Sequence, residues 1–435
     1  MEVDEEVGLK GATNAQPPNN GKWWHLVFHN VAAVGGVAVL DLPHAMAGLG
    51  WGPGVTVLVL SWIISLYTLG LIVEMNDTVS RQWFERYQRE FGNTLPLYIV
   101  VSLLLIAKIG VDISCMVTVG KSLRMFHDTV CSSCGETKTT YFIIIFACAS
   151  LVLSHLRNFK STAGVSLAAA LMFFGYCTIV CIALLHEGGC SDQRTIRVQS
   201  DLDSETALNV FSALGIAAYP YGEHHVAMAI MAIQEMIPST QRSSSMSPST
   251  QRPLSGLMWR DVVVAYIIVA LCYFPVALIG YLIFGNSVED NILVSLEKPA
   301  WLVALAYMLV VGHAIGSFQI STKPMFDMIA AVLETKWPFE KLPKFTAPYI
   351  YVASTMLIAI TFPFFGDLLW PFGGALTIYI LPCLMRLAID KYSGSSSSQW
   401  KNWMCIAIGV LLMVLVPIGA LRQIINEAKT YQFYS

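Results

Sequence analysis

Eleven stretches of this chain are apolar for long enough to cross a membrane as helices: residues 25–48, 52–74, 95–119, 140–157, 163–186, 206–232, 261–284, 299–319, 347–365, 367–389 and 402–422. A hydrocarbon core of about 30 Å takes roughly 20 residues of α-helix. No other feature narrows the fold so far. A backbone in lipid must satisfy its own hydrogen bonds, and only helices and closed barrels do so. Barrel strands are about 10 residues long and strictly alternating, so run length selects helices. Composition agrees: 55% of the residues are hydrophobic and 13% charged, against about 25% charged in a soluble domain. The mean hydropathy is +0.60. The chain is expected to be an all-α integral membrane protein with the lipid bilayer as its surroundings. Its net charge of -3 gives no footing for a nucleic acid partner.

Basic residues set an expected orientation. With the N-terminus inside, the inner segments hold seventeen Lys and Arg and the outer segments eight, with Lys108 inside a span. The N-terminus is therefore expected in the cytoplasm and, after an odd number of spans, the C-terminus outside. Residues 1–24 are acidic and then polar and read as a disordered tail. Residues 25–186 carry spans one to five and residues 187–389 spans six to ten, with a Ser-rich cytoplasmic loop at 233–260; residues 390–435 hold span eleven and a short outer tail. Cys131, Cys134 and Cys190 fall in outer loops, where a disulfide from Cys190 to either of the others is open. The Cys131-Ser-Ser-Cys134 spacing lacks the second ligand pair that a structural metal needs, so no metal is expected.

Two spans contain residues that do not belong in a lipid-facing helix. In span one, Gly35-Gly36 is followed by Asp41, Pro43 and His44. In span six, Tyr219-Pro220-Tyr221-Gly222 runs into Glu223, His224 and His225. Gly and Pro open the backbone ladder, which at membrane depth is tolerated only within protein or beside a water-filled cavity. Breaks five spans apart are the spacing of two inverted five-helix repeats, each opening with an interrupted helix. The half-helix ends expose N–H and C=O groups suited to a ligand with both a carboxylate and an ammonium.

Ionisable groups inside spans are the second signal, since each is costly unless paired or hydrated. They are Asp41, Lys108, Asp112, Glu223 and His313. Lys108 and Asp112 stand four apart on one helix face and are expected to form a structural ion pair. Asp41, His44 and Glu223 are the candidates for carrying a coupling proton, Asp41 and His44 as a relay one helical turn long. No cofactor other than the proton is expected. No inter-span segment can hold a catalytic domain and no nucleophile sits with the intramembrane His and Asp residues, so an enzyme is not expected. A channel would show rings of charge or a repeated filter loop.

Longer strings carry a resemblance. Trp23-Trp24, His29-Asn30-Val31, Leu42-Pro43-His44-Ala45-Met46 and Leu49-Gly50-Trp51-Gly52-Pro53-Gly54 are similar to the plant lysine/histidine-transporter-like group of amino acid permeases, within the amino acid/auxin permease superfamily. So are Lys121-Ser122-Leu123, the stretches 265–277 and 284–293, Leu381-Pro382-Cys383 and Ala428-Lys429-Thr430-Tyr431. The resemblance implies a LeuT-like inverted-repeat core plus one helix, a plasma-membrane location and proton-driven import of amino acids. It implies substrate contacts at Gly35, Gly36, Tyr221, His224 and His313, and His44 is a further substrate-contact candidate from its place in span one. The chain departs from the family pattern where Asp41 and Glu223 stand for Gly, His44 for Tyr, and Lys108 for Glu. Asp41 or Glu223 is then expected to balance the charge of Lys108. An importer of an auxin-like organic acid and a non-transporting amino acid sensor stay open as alternatives.

Overall fold

Among the described residues, helix overlaps each of the eleven expected spans. The computed structural model describes residues 23–75, 95–131, 135, 137–155, 159–188, 204–221, 224, 257–296, 299–336, 346–363, 374–393 and 399–430. Among these there is no β-strand. Span one is split into α1 (Trp23–Val34) and α2 (Leu42–Leu49), joined by a 3-10 turn at Val37–Asp41 and bent by 50°. Then come α3 (Trp51–Met75), α4 (Leu95–Val130), α5 (Thr139–His155), α6 (Phe159–Gly188) and α7 (Ser204–Ala218). After these follow α8 (Leu257–Phe284), α9 (Ala300–Lys336), α10 (Thr346–Thr361), α11 (Leu381–Ser393) and α12 (Gln399–Thr430). A π-helical stretch, Leu376–Ile380, leads into α11.

Several boundaries differ from the apolar runs. α4, α9 and α12 continue well past them, to Val130, Lys336 and Thr430. Apolarity marks the part of a helix in lipid, whereas a helix needs only its own hydrogen bonds to continue into water. In span six the helix described before the break, α7, ends at Ala218, a turn follows at 219–221, and His224 is helical again. Pro220 has no N–H to give and biases Tyr219 away from the α region. The corner at 365–367, residues 233–256 of the expected loop, Gly222, Glu223 and His225 lie outside the described residues, whereas residues 257–260 of that loop are the first turn of α8. Cys131 is disulfide-bonded, whereas Cys134 and Cys190 lie outside the described residues.

Packing sorts the helices into two groups. Ile113 and Met116 of α4, Ile143 and Phe146 of α5, Ala314 and Phe318 of α9, and Tyr351 and Val352 of α10 form one core cluster. The larger cluster joins α1, α2, α3, α6 and α8 to parts of α9, α11 and α12. Large apolar side chains such as Leu271, Leu357 and Leu411 face outward, as the lipid side of a membrane helix requires. Small residues bring backbones together where helices cross. A Cβ added at Gly280 of α8 would stand 2.7 Å from the Pro43 ring of α2, and one at Gly316 of α9 would stand 2.7 Å from Ala169 of α6. The broken span one is packed between α6, α7 and α8.

Candidate functional site at the two helix breaks

Breaking a helix frees donors and acceptors, and each freed group at membrane depth needs a new partner. α1 ends at Val34, and Gly36 adopts extended backbone with φ -119° and ψ 165°. The freed groups are met by two tyrosine hydroxyls. Gly36 N–H donates to Tyr273 Oη of α8 at 2.8 Å, and Tyr176 Oη of α6 donates to Gly36 O at 3.1 Å. The Tyr273 hydroxyl faces two carbonyls, Val34 O at 3.2 Å and Pro220 O at 3.4 Å. The second of these belongs to the break of span six. On that side the Tyr221 carbonyl accepts from Ser65 Oγ of α3 at 3.0 Å and from Tyr266 Oη at 3.3 Å.

Around these bonds the interior is aromatic. Phe173, Tyr176, Tyr221, Tyr273 and His313 are each completely buried. Phe173 contacts the rings of Tyr176, Tyr273 and His313, and Tyr221 lies against Tyr273 with centroids 5.4 Å apart. His313 Nδ1 donates to Ala169 O at 2.9 Å, which fixes its tautomer through the bond it makes. Its Nε2 is buried without a hydrogen-bond partner, and the Gly35 backbone lies beside the ring outside hydrogen-bonding geometry. Tyr221 Oη is also buried and unpartnered. Buried polar atoms are nearly always paired, so each exception calls for a reason.

Comparison with known proteins decides what this arrangement belongs to. The model of the transmembrane amino acid transporter protein family matches residues 19–422. The chain belongs to that family. Lysine histidine transporter-like 1 of Arabidopsis thaliana is 47% identical over all of this chain and 94% of its own length. Lysine histidine transporter-like 4 of the same plant is 44% identical over 99% of this chain and 94% of its length. Among solved structures, MhsT in complex with L-phenylalanine aligns with a TM-score of 0.53 at 12% identity, over 93% of this chain and 98% of that one. That likeness is one of fold alone, and the fold is LeuT-like. The chain is a transporter-family membrane protein and not an enzyme.

The family's core gathers some of the expected residues and separates others. Gly35, Gly36, Tyr221 and His313 meet at the breaks. His224 is fully buried behind them and tied to α3, with Nε2 donating to Ser65 O at 3.0 Å and Thr68 Oγ1 3.1 Å away. Asp41, half-buried, ends the 3-10 turn at the N-cap position of α2 and makes no capping bond there. It lies within electrostatic reach of Tyr176. His44 faces the loop that follows α8, with Nδ1 3.4 Å from Val288 O and Nε2 3.4 Å from Asp290 Oδ1. A neutral imidazole has one N–H, so only the protonated ring serves both acceptors. Glu223 lies outside the described residues.

Lys108 and Asp112 stand apart, inside the group of α4, α9 and α10. Lys108 Nζ donates to Asp112 Oδ1 at 2.6 Å and to Ser321 Oγ of α9 at 2.7 Å, and Tyr351 Oη of α10 donates to Asp112 Oδ2 at 2.6 Å. The Lys108 ammonium also sits 5.9 Å from the centre of the Phe318 ring. Its charge is met by Asp112 of its own helix, the pair expected from the four-residue spacing; any contribution from Glu223 lies outside the described residues. A carboxylate i+4 on the same face meets it without any other helix having to move.

Sequence reasoning missed Phe173, Tyr176 and Tyr273. A weak signal existed for the two tyrosines. A phenolic hydroxyl in mid-span must find a partner, and breaks elsewhere in the chain must find one too. Nothing local says that the two needs meet.

Proposed function

We propose that this protein imports amino acids across the plasma membrane in symport with protons, by alternating access around a site between the breaks of spans one and six. The observation that carries this reading is the meeting at one place of the Gly36 N–H with carbonyls from both breaks. A donor suits a carboxylate and carbonyls suit an ammonium, which together select a zwitterion. Tyr221 Oη and His313 Nε2 are free to bond substrate when the breaks open. Asp41, His44 and Glu223 supply the candidate proton carriers, and an N-terminus in the cytoplasm follows from the Lys and Arg distribution. The proton is the coupling ion and no other cofactor enters.

Radiolabelled uptake in a transport-deficient cell tests this. The panel begins with lysine and histidine, named by the relatives, and includes neutral amino acids and an auxin. Saturable amino acid uptake that is faster at about pH 5.5 than at about pH 7.5 and collapses with a protonophore is the expected result, since the candidate carriers include an imidazole. Uptake of the auxin alone would reassign the substrate to an organic acid. Binding without uptake, with the protein at the cell surface, would make it a sensor.

A further inference from the structure

Tyr273 Oη lies at hydrogen-bond distance from both helix breaks. It accepts from Gly36 N–H at 2.8 Å and shares its single proton between Val34 O at 3.2 Å and Pro220 O at 3.4 Å. The ring is completely buried and wedged against Phe173 and Tyr221, so the hydroxyl is held in place by packing. Tyr176 Oη meets the remaining polar group of Gly36, its carbonyl, from α6. The N–H and C=O groups so engaged are the ones a zwitterion would use. In this arrangement the protein engages them with its own hydroxyls and closes the breaks upon itself.

A carrier working by alternating access delivers its cargo and then returns unloaded. On that return the same backbone groups pass through a closed state with no substrate upon them, and groups left unpaired there raise its free energy. We propose that Tyr273 is a positioning residue for the unloaded carrier: its hydroxyl takes the place of substrate at the two breaks and so lets the empty protein close. The inference rests on the transport reading above. Tyr273 makes loaded and unloaded crossings unequal in their need for one oxygen atom. Net uptake requires the unloaded return. Exchange, with cargo in both directions, does not.

The experiment measures both in cells expressing the full chain, with rates divided by the amount of protein at the surface. The labelled amino acid is one that the unmodified protein accepts, and exchange is measured against the same unlabelled compound preloaded in the cells. For Tyr273→Phe, net uptake should fall about tenfold while exchange stays within about twofold of the unmodified protein, because the lost hydroxyl leaves buried groups unpaired only when no cargo replaces it. Tyr281→Phe removes a hydroxyl from the same helix about two turns further along, where the ring packs on Trp51, and should keep the normal ratio of net uptake to exchange. Equal loss of both rates in Tyr273→Phe overturns the proposal, as does unchanged net uptake or an equally altered ratio in Tyr281→Phe. If Tyr273→Phe does not reach the surface, Tyr176→Phe decides: a lowered ratio supports the proposal and a normal one overturns it. An unmodified protein showing neither net uptake nor exchange would remove the transport reading instead.

Discussion

Lys108 and Asp112 are each 1% exposed, yet every charge-bearing atom of the pair that is placed here has a partner. Burying two ions is costly, and their attraction offsets that cost only with good geometry and further hydrogen bonds, which Ser321 and Tyr351 supply. The pair also ties α4 to α9 and α10. Lys108→Met strands the Asp112 carboxylate and should destabilise the protein by about 3–5 kcal/mol. The double change Lys108→Met with Asp112→Leu should restore most of that, read as the thermal midpoint of detergent-solubilised protein. A double variant no more stable than the single would show that the pair does more than neutralise itself. At the breaks the reasoning is different. Tyr221 Oη and His313 Nε2 are buried with nothing bonded to them, a loss tolerated where function needs the group.

At the scale of the element, the two adjacent glycines of span one have separate tasks. A Cβ at Gly35 would stand 2.6 Å from Val31 O, a backbone atom, and 3.2 Å from the Phe173 ring. The end of α1 would have to shift. A Cβ at Gly36 would meet Tyr273 Oη at 3.7 Å, an ordinary contact, in an extended backbone open to any residue. Gly35→Ala should therefore lower stability by about 1–3 kcal/mol through overpacking. Gly36→Ala should leave the thermal midpoint unchanged and lower uptake, because on the proposed reading its methyl group stands where substrate approaches the backbone. Similar midpoints for the two variants would contradict this division. The break itself was legible from Gly35-Gly36 and from Pro220. Where α4, α9 and α12 end was not, because apolarity reports the depth of lipid and not the length of a helix.

The whole molecule divides into a cluster of α4, α5, α9 and α10 and a larger one around the broken spans. Spans three and four of the first half pair with their counterparts eight and nine of the second, which is the arrangement two five-helix repeats produce. α6 and α9 make the broad contact between the groups, and His313 of α9, bonded to Ala169 of α6, lies on that seam beside Gly35. Relative motion of the groups would act on the site directly. The excess of Lys and Arg on one side predicts that an epitope tag at the N-terminus is reached by antibody only after permeabilisation, and one at the C-terminus in intact cells. Both tags accessible from the same side would mean an even number of spans.

Taken alone, the sequence determined the class, the apolar runs at which the described helices stand, the place of the two breaks and the Lys108–Asp112 pair. Each of these depends on residues close along the chain: an apolar run, a Gly-Gly or Pro step, a charge four positions from its opposite. Only the tertiary structure decided what closes the breaks. The hydroxyl that meets Gly36 stands 237 residues away, and no local pattern encodes which of the buried tyrosines will arrive there. It also drew His44 to Asp290 and His224 to Ser65, partners that become neighbours only when whole helices pack. The physical reason is one of range. A helix satisfies its own backbone within four residues, whereas a broken one must find its donors and acceptors wherever packing brings them.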